Sequence, residues 1–160
     1  MEKTKTCLIL GVGNPLMADD GVGHVVVKQL LECELPEKVH VLDGGTQGIG
    51  LIPEIEKYNR LIIVDAVNLG IDPGEWRRFS LRSSQLNSVD SQHFSLHEAN
   101  LASMLKLAEA LDALPPEVII YGIQPENLDW DSPMSESVRS SIDPVTRAIR
   151  EEIAATCSIE

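Results

Sequence analysis

Short apolar runs that end in glycine or aspartate alternate along this chain with longer stretches in which apolar residues recur every three or four positions. Cys7-Leu8-Ile9-Leu10-Gly11 is the first such run and has the density of a strand buried on both faces. Val22, Val26, Leu30 and Cys33 then recur at helical spacing and predict a helix over 20–34 that stops before Pro36. A second strand is expected over 39–43, closed by Gly44-Gly45-Thr46, followed by a short helix around Pro53 that buries Leu51, Ile52 and Ile55. Leu61-Ile62-Ile63-Val64-Asp65 is the strongest strand signal of all. Over 74–81 Trp76 and Phe79 alternate with polar residues, the pattern of a half-exposed edge strand.

Ser95-Leu96-His97-Glu98 reads as a capping box, in which the serine hydroxyl and the glutamate carboxylate satisfy each other's backbone amides, so a helix starts there. Leu101, Met104, Leu105, Ala108 and Leu111 hold its inner face until Pro115-Pro116. Another buried strand follows over 118–122, and a last helix over 135–155, broken or restarted at Pro144. Apolar strands alternating with amphipathic helices specify an α/β fold. The expectation is a three-layer α/β/α sandwich: one domain over 1–160, with a mostly parallel, twisted sheet of about five strands, an antiparallel edge strand and helices on both faces. In such sheets, sites form at the carboxyl ends of the strands.

Charge removes several classes of partner. With 13 Lys and Arg against 25 Asp and Glu, a net charge of -12, the chain lacks the basic groups that nucleic acid or an anionic membrane surface requires. Its apolar runs are far shorter than the ~20 residues that span a bilayer, and 1–6 is no signal-peptide core, so a cytoplasmic protein without membrane insertion is expected. Cys7, Cys33 and Cys157 are odd in number and widely spaced, which argues against a disulfide framework or a thiolate zinc site.

The chemistry begins at Gly11-Val12-Gly13-Asn14-Pro15-Leu16-Met17-Ala18-Asp19-Asp20-Gly21-Val22-Gly23. The turn resembles a phosphate cradle, but its glycine spacing is not G-x-G-x-x-G, no Walker lysine follows, and two aspartates stand where an anion would sit. A nucleotide- or flavin-binding domain therefore rests on the glycines alone. One aspartate is explained as a helix cap; the second is surplus and is aimed into the strand-end crevice. Asp65 ends the third strand at the same level, and there it either caps the next loop or serves the site. His97, one turn before Leu101, is expected to face the same end of the sheet as a neutral imidazole. Two carboxylates and an imidazole suit a borderline divalent transition metal and leave coordination positions open. His93 lacks the partners of an H-E-x-x-H motif, and His24 and His40 read as ordinary helix and strand residues.

In their order and spacing, GVGNPLMADDGVG, Asp43-Gly44-Gly45-Thr46, Ile62-Ile63-Val64-Asp65-Ala66, Ser95-Leu96-His97 and Gly122-Ile123-Gln124-Pro125-Glu126 resemble the nickel-iron hydrogenase maturation endopeptidases, over 8–145. The resemblance implies a protease that trims the C-terminal extension from a hydrogenase large-subunit precursor. It implies that Asp20, Asp65 and His97 engage nickel carried by that precursor, the same donor set being open to other divalent ions. Asp20 stands where family members vary between glutamate and aspartate. The resemblance further implies an aspartic-type hydrolase without a serine or cysteine nucleophile; Gly44, Gly45 and Thr46 fit that picture, either as a turn whose glycines permit positive φ or as a strand end bare enough for an extended substrate tail to approach. A nickel chaperone or checkpoint that hydrolyses nothing is the alternative for the same three ligands. A monomer is compatible with the pattern.

Overall fold

Every position of Arg60–Ala66 is buried, as in a strand at the middle of a covered sheet. A computed structural model describes residues 6–81 and 96–157, the side chains of 96–100 and 157 excepted, and places that run centrally among five strands. These are β1 (Cys7–Val12), β2 (Val39–Gly45), β3 (Arg60–Ala66), β4 (Trp76–Leu81) and β5 (Glu117–Ile123), in the order β2-β1-β3-β5-β4. β2, β1, β3 and β5 run parallel, and β4 pairs antiparallel with β5 at the edge. The mixed sheet and its antiparallel edge are those expected from the pattern.

Alternation along the strands divides the core in two. Ile9, Ile62, Val64 and Ile119 face a layer built from α1 (Val22–Leu31) and the final helix α5 (Ile142–Cys157), through Val26, Leu30, Val145 and Ile149. Leu8, Leu10, Leu61 and Ile63 face the opposite layer, built from α2 (Ile52–Ile55) and α3 (Leu96–Ala110), through Ile55, Met104 and Leu105. Each of these side chains contributes about 2 kcal/mol on burial, so neither helical layer holds without the sheet. The result is the three-layer α/β/α arrangement. No helix among the described residues is long and apolar enough to cross a membrane.

Three boundaries differ from the pattern for local reasons. Asp20 does not open α1: it lies in a 3-10 turn, Ala18–Gly21, and the α-helix starts at Val22. β2 continues to Gly45 because its pairing with β1 is bulged, Gly11 standing against Asp43 and Val12 against Gly45, which leaves Gly44 as the inserted residue. Pro144 falls in the first turn of α5, after the separate single turn α4 (Glu136–Arg139), as a fresh helix start requires. The Ser95–Glu98 capping box and His93 lie outside the described residues.

One polar cluster ties α5 to the sheet. Glu152 accepts from Arg78 Nε at 2.5 Å and also pairs with Arg60 and the Tyr121 hydroxyl, while Arg60 Nη1 donates to Thr156 Oγ1 at 2.6 Å. Burial works against the Glu152 carboxylate, but hydrogen bonds from Arg78 and Tyr121 and the charges of both arginines hold its pKa below the ordinary glutamate value. Burial, reinforced by that carboxylate, pushes the Tyr121 phenol well above its ordinary value.

Candidate functional site

After β1 the chain crosses to α1 on one face of the sheet, whereas after β3 it passes through β4 to α3 on the other. The carboxyl ends of β1 and β3 therefore bound the topological switch point, where α/β sheets leave a crevice. Glycine decides how closely the chain folds over it. A Cβ on Gly23 would stand 2.5 Å from Val64 O and 2.6 Å from Val12 O, so α1 can seat its first turn on the two strands only with glycine there. Gly13 has φ +131°, and a Cβ on it would meet Asp20 O at 2.0 Å. These contacts lay the Ala18–Gly21 turn against β3, whose next-to-last residue is Asp65.

Two buried carboxylates stand at this end of the sheet, one in the turn after β1 and one at the end of β3. Asp20 is 3% exposed and its Oδ2 accepts the Asn14 N–H at 2.9 Å. Asp65 is fully buried, its Oδ1 accepts the Ala66 N–H at 2.8 Å, and strand alternation turns it toward the layer that contains α3. His97 stands in the first turn of α3. One turn on, Leu101 lines a small cleft with Val12, Gly45, Thr46 and Met104, so α3 opens at the same end of the sheet. The side chain of His97 lies outside the described residues, and among the described residues no three His, Cys, Asp or Glu side chains gather as a metal centre.

Asp19 does something the sequence does not announce. Neither it nor Asp20 caps the helix that follows. Its Oδ2 accepts the N–H groups of Glu126 and Asn127 at 2.8 and 2.9 Å and the Ser135 hydroxyl at 2.8 Å, and its Oδ1 accepts the Ser135 N–H at 2.7 Å. Asp19 N–H in turn donates to Asn127 O at 2.9 Å. One fully buried carboxylate thus supplies the acceptors that the 126–135 connection lacks within itself. The same contacts hold Ala18 at φ 47°, a conformation unfavourable for alanine, directly before the two aspartates. The available signal is the doublet itself, since a single turn needs only one capping carboxylate.

His24, ordinary by its sequence context, has its Nδ1 2.5 Å from Asp43 Oδ2. Asp43 Oδ1 accepts the Gly45 N–H at 3.2 Å, and Gly45 O accepts the Gly13 N–H at 3.0 Å. A chain of contacts therefore runs from α1 through the end of β2 to the glycine turn after β1. Gly44 is packed beneath it, where a Cβ would press on Leu10 and Leu51. Above Gly45 the space is open, and Gly45 and Thr46 form the lip of the cleft.

Residues 24–152 match the HycI hydrogenase maturation protease family. The chain belongs to this family. Among relatives of this hydrogenase maturation protease, the hydrogenase expression/formation protein HoxM of Azotobacter vinelandii is 37% identical over 150 residues, 92% of this chain and 72% of that one. The hydrogenase maturating endopeptidase HybD of E. coli superposes with a TM-score of 0.83 at 27% identity, covering 94% of this chain and 93% of that one. The hydrogenase 2 maturation peptidase of a Thaumarchaeota archaeon gives 0.72 at 35% identity, covering 93% and 98%. The resemblance read from the motifs is thereby borne out, and with it a hydrolytic, proteolytic function.

For a protease, the described thiols are poorly placed. Cys7 is buried in β1, and Cys33 Sγ, past the end of α1, donates to Gln29 O at 3.3 Å. Neither lies at the carboxyl end of the sheet, so neither is a nucleophile for a site at the switch point.

Proposed function

We propose that this maturation protease removes the C-terminal extension of a nickel-iron hydrogenase large-subunit precursor once nickel has been inserted, recognising the metal through Asp20, Asp65 and His97. The observation that supports the reading is the burial of two carboxylates, Asp20 in the turn after β1 and Asp65 at the end of β3, at the end of the sheet where the helix that carries His97 begins. Like charges brought together without water favour a cation between them. Carboxylate oxygens and an imidazole nitrogen match a borderline transition ion, and three protein donors leave room for the ligands that the ion brings with it.

Nickel is here part of the substrate, so its arrival completes the site. The precursor tail lies along Gly45 and Thr46, where the open backbone admits an extended chain. The metal polarises the scissile carbonyl or acidifies a bound water, and Asp20 or Asp65 accepts the proton as water attacks. No acyl-enzyme forms, which makes this an aspartic-type hydrolase whose only checkpoint is the metal. Incubating the purified chain with nickel-loaded precursor tests the reading by mass spectrometry of the large subunit. Loss of the C-terminal extension is expected. An unchanged mass would identify a nickel-binding checkpoint that cuts nothing, and would refute the protease reading.

A further inference from the structure

Among the described residues, the connections 13–21, 45–51, 67–75 and 124–135 at the carboxyl end of the sheet contain no lysine and no arginine. Their outer surface, together with the end of β2, is acidic, with Asp43, Asp72, Glu75, Glu126, Asp129 and Asp131 all exposed. Arg77, paired with Glu75 at 3.7 Å, and Arg139, donating to Met134 O at 3.4 Å, flank the connections without entering them. At the opposite end of the sheet the charges are mixed, Lys28, Lys38 and Lys57 lying among Glu32, Glu34, Glu37, Glu54 and Glu56.

Within this acidic surround stand large apolar side chains that the core does not use. Trp130 is 63% exposed, Leu16 is 60% exposed and Ile49 is 56% exposed. Trp130 and Leu16 come from loops far apart in sequence but are held together, because the Asp131 N–H donates to Leu16 O at 3.0 Å and Asp19 pins both loops beneath. A rigidly mounted, exposed tryptophan beside a leucine has the composition of an interface anchor, while the acidic ring sets the partner's sign.

We infer that the carboxyl-end face, with Trp130 and Leu16 as its apolar anchor and the surrounding carboxylates as its charge, is the docking surface for a basic, partly apolar patch on the body of the precursor, separate from the tail that is cut. The inference rests on the protease reading above. Attraction between an acidic face and a basic partner steers encounter and weakens with salt, and an aromatic anchor contributes through slower dissociation. Neither touches the reacting bond, so both should appear in KM and not in kcat.

The test is steady-state cleavage of nickel-loaded precursor by wild type, Trp130→Ala and the double variant Asp129→Lys/Asp131→Lys, at low and moderate salt. For wild type, KM should rise about tenfold as salt screens the contact. Trp130→Ala should raise KM about tenfold or more with kcat within twofold. The charge-reversed variant should show high KM at low salt and little further salt dependence. If wild type cleaves and both variants keep its KM and salt response, the docking inference is overturned while the protease reading stands. If wild type leaves the precursor intact, the protease reading fails, and the inference with it.

Discussion

Asp19 and Ser135, 116 positions apart, are joined twice, the serine N–H reaching Oδ1 at 2.7 Å and its hydroxyl reaching Oδ2 at 2.8 Å. With Glu126 and Asn127 on the same carboxylate, the β1–α1 turn and the connection after β5 are tied together. Asp19→Ala should therefore cost about 3 kcal/mol, the range for hydrogen bonds to a buried charge, read as a lowered urea midpoint. Because Asp20 is the next residue, cleavage should fall more steeply than stability does. A stable, fully active Asp19→Ala would show that the 126–135 connection holds itself.

Asp65→Asn keeps the shape of a fully buried side chain and removes one of the two carboxylates proposed to engage the metal. The variant should be as stable as wild type or up to about 1 kcal/mol more so, the trade expected where a site is built for function against folding. Its cleavage rate should fall by about 100-fold or more. Thermal unfolding and cleavage measured on one preparation check both halves.

Gly44 and Gly45 should separate in a substitution pair. Gly44→Ala drives a methyl group to 2.8 Å from Leu10 and 3.0 Å from Leu51, so it should destabilise the fold. Gly45 has φ +52°, and a Cβ there would meet nothing within 4 Å, so the conformation is the obstacle and not space. Asparagine tolerates that conformation better than other side chains do, whereas valine does not. Gly45→Asn should fold with a loss under about 1 kcal/mol and still cleave slowly, because the side chain stands in the tail's path. Gly45→Val would confound strain with obstruction.

Acid should loosen α5 before it loosens the rest of the core. The Glu152 pKa is lowered in the folded protein, so its contribution to stability is complete above the ordinary glutamate value near 4.5 and is lost as pH falls through the depressed one. Glu152→Gln should flatten the acid side of the stability–pH curve. Glu152→Ala leaves Arg60 without its buried partner and should cost about 3 kcal/mol at neutral pH, measured by denaturant unfolding.

Much of the architecture is written in local pattern. β1, β3 and β5 are legible because strands covered on both faces must be apolar throughout, and Leu101, Met104, Leu105 and Ala108 show the inner face of α3 by spacing, whereas Leu111, expected on that face, lies past the helix end at Ala110 and is 61% exposed. Asp65 is legible as a candidate because it ends an apolar strand, and Asp20 because it is the surplus member of an acidic doublet in the turn after β1, both at the end of the sheet where α/β sites form. The partners of Asp19 and the His24–Asp43 contact are not, since both depend on where distant loops come to rest, and a carboxylate carries no address for its donors in sequence. The extra residue at Gly44 is hidden for a related reason: a bulge shows only in the register between two strands.

The most direct test of metal-gated cleavage presents wild-type protein with the same precursor in nickel-loaded and nickel-free forms, and follows the large-subunit mass with time. Metal-gated cleavage requires shortening of the loaded form alone, and no shortening of either form by Asp65→Asn. Equal cleavage of the nickel-free precursor, or normal cleavage by Asp65→Asn, would contradict it.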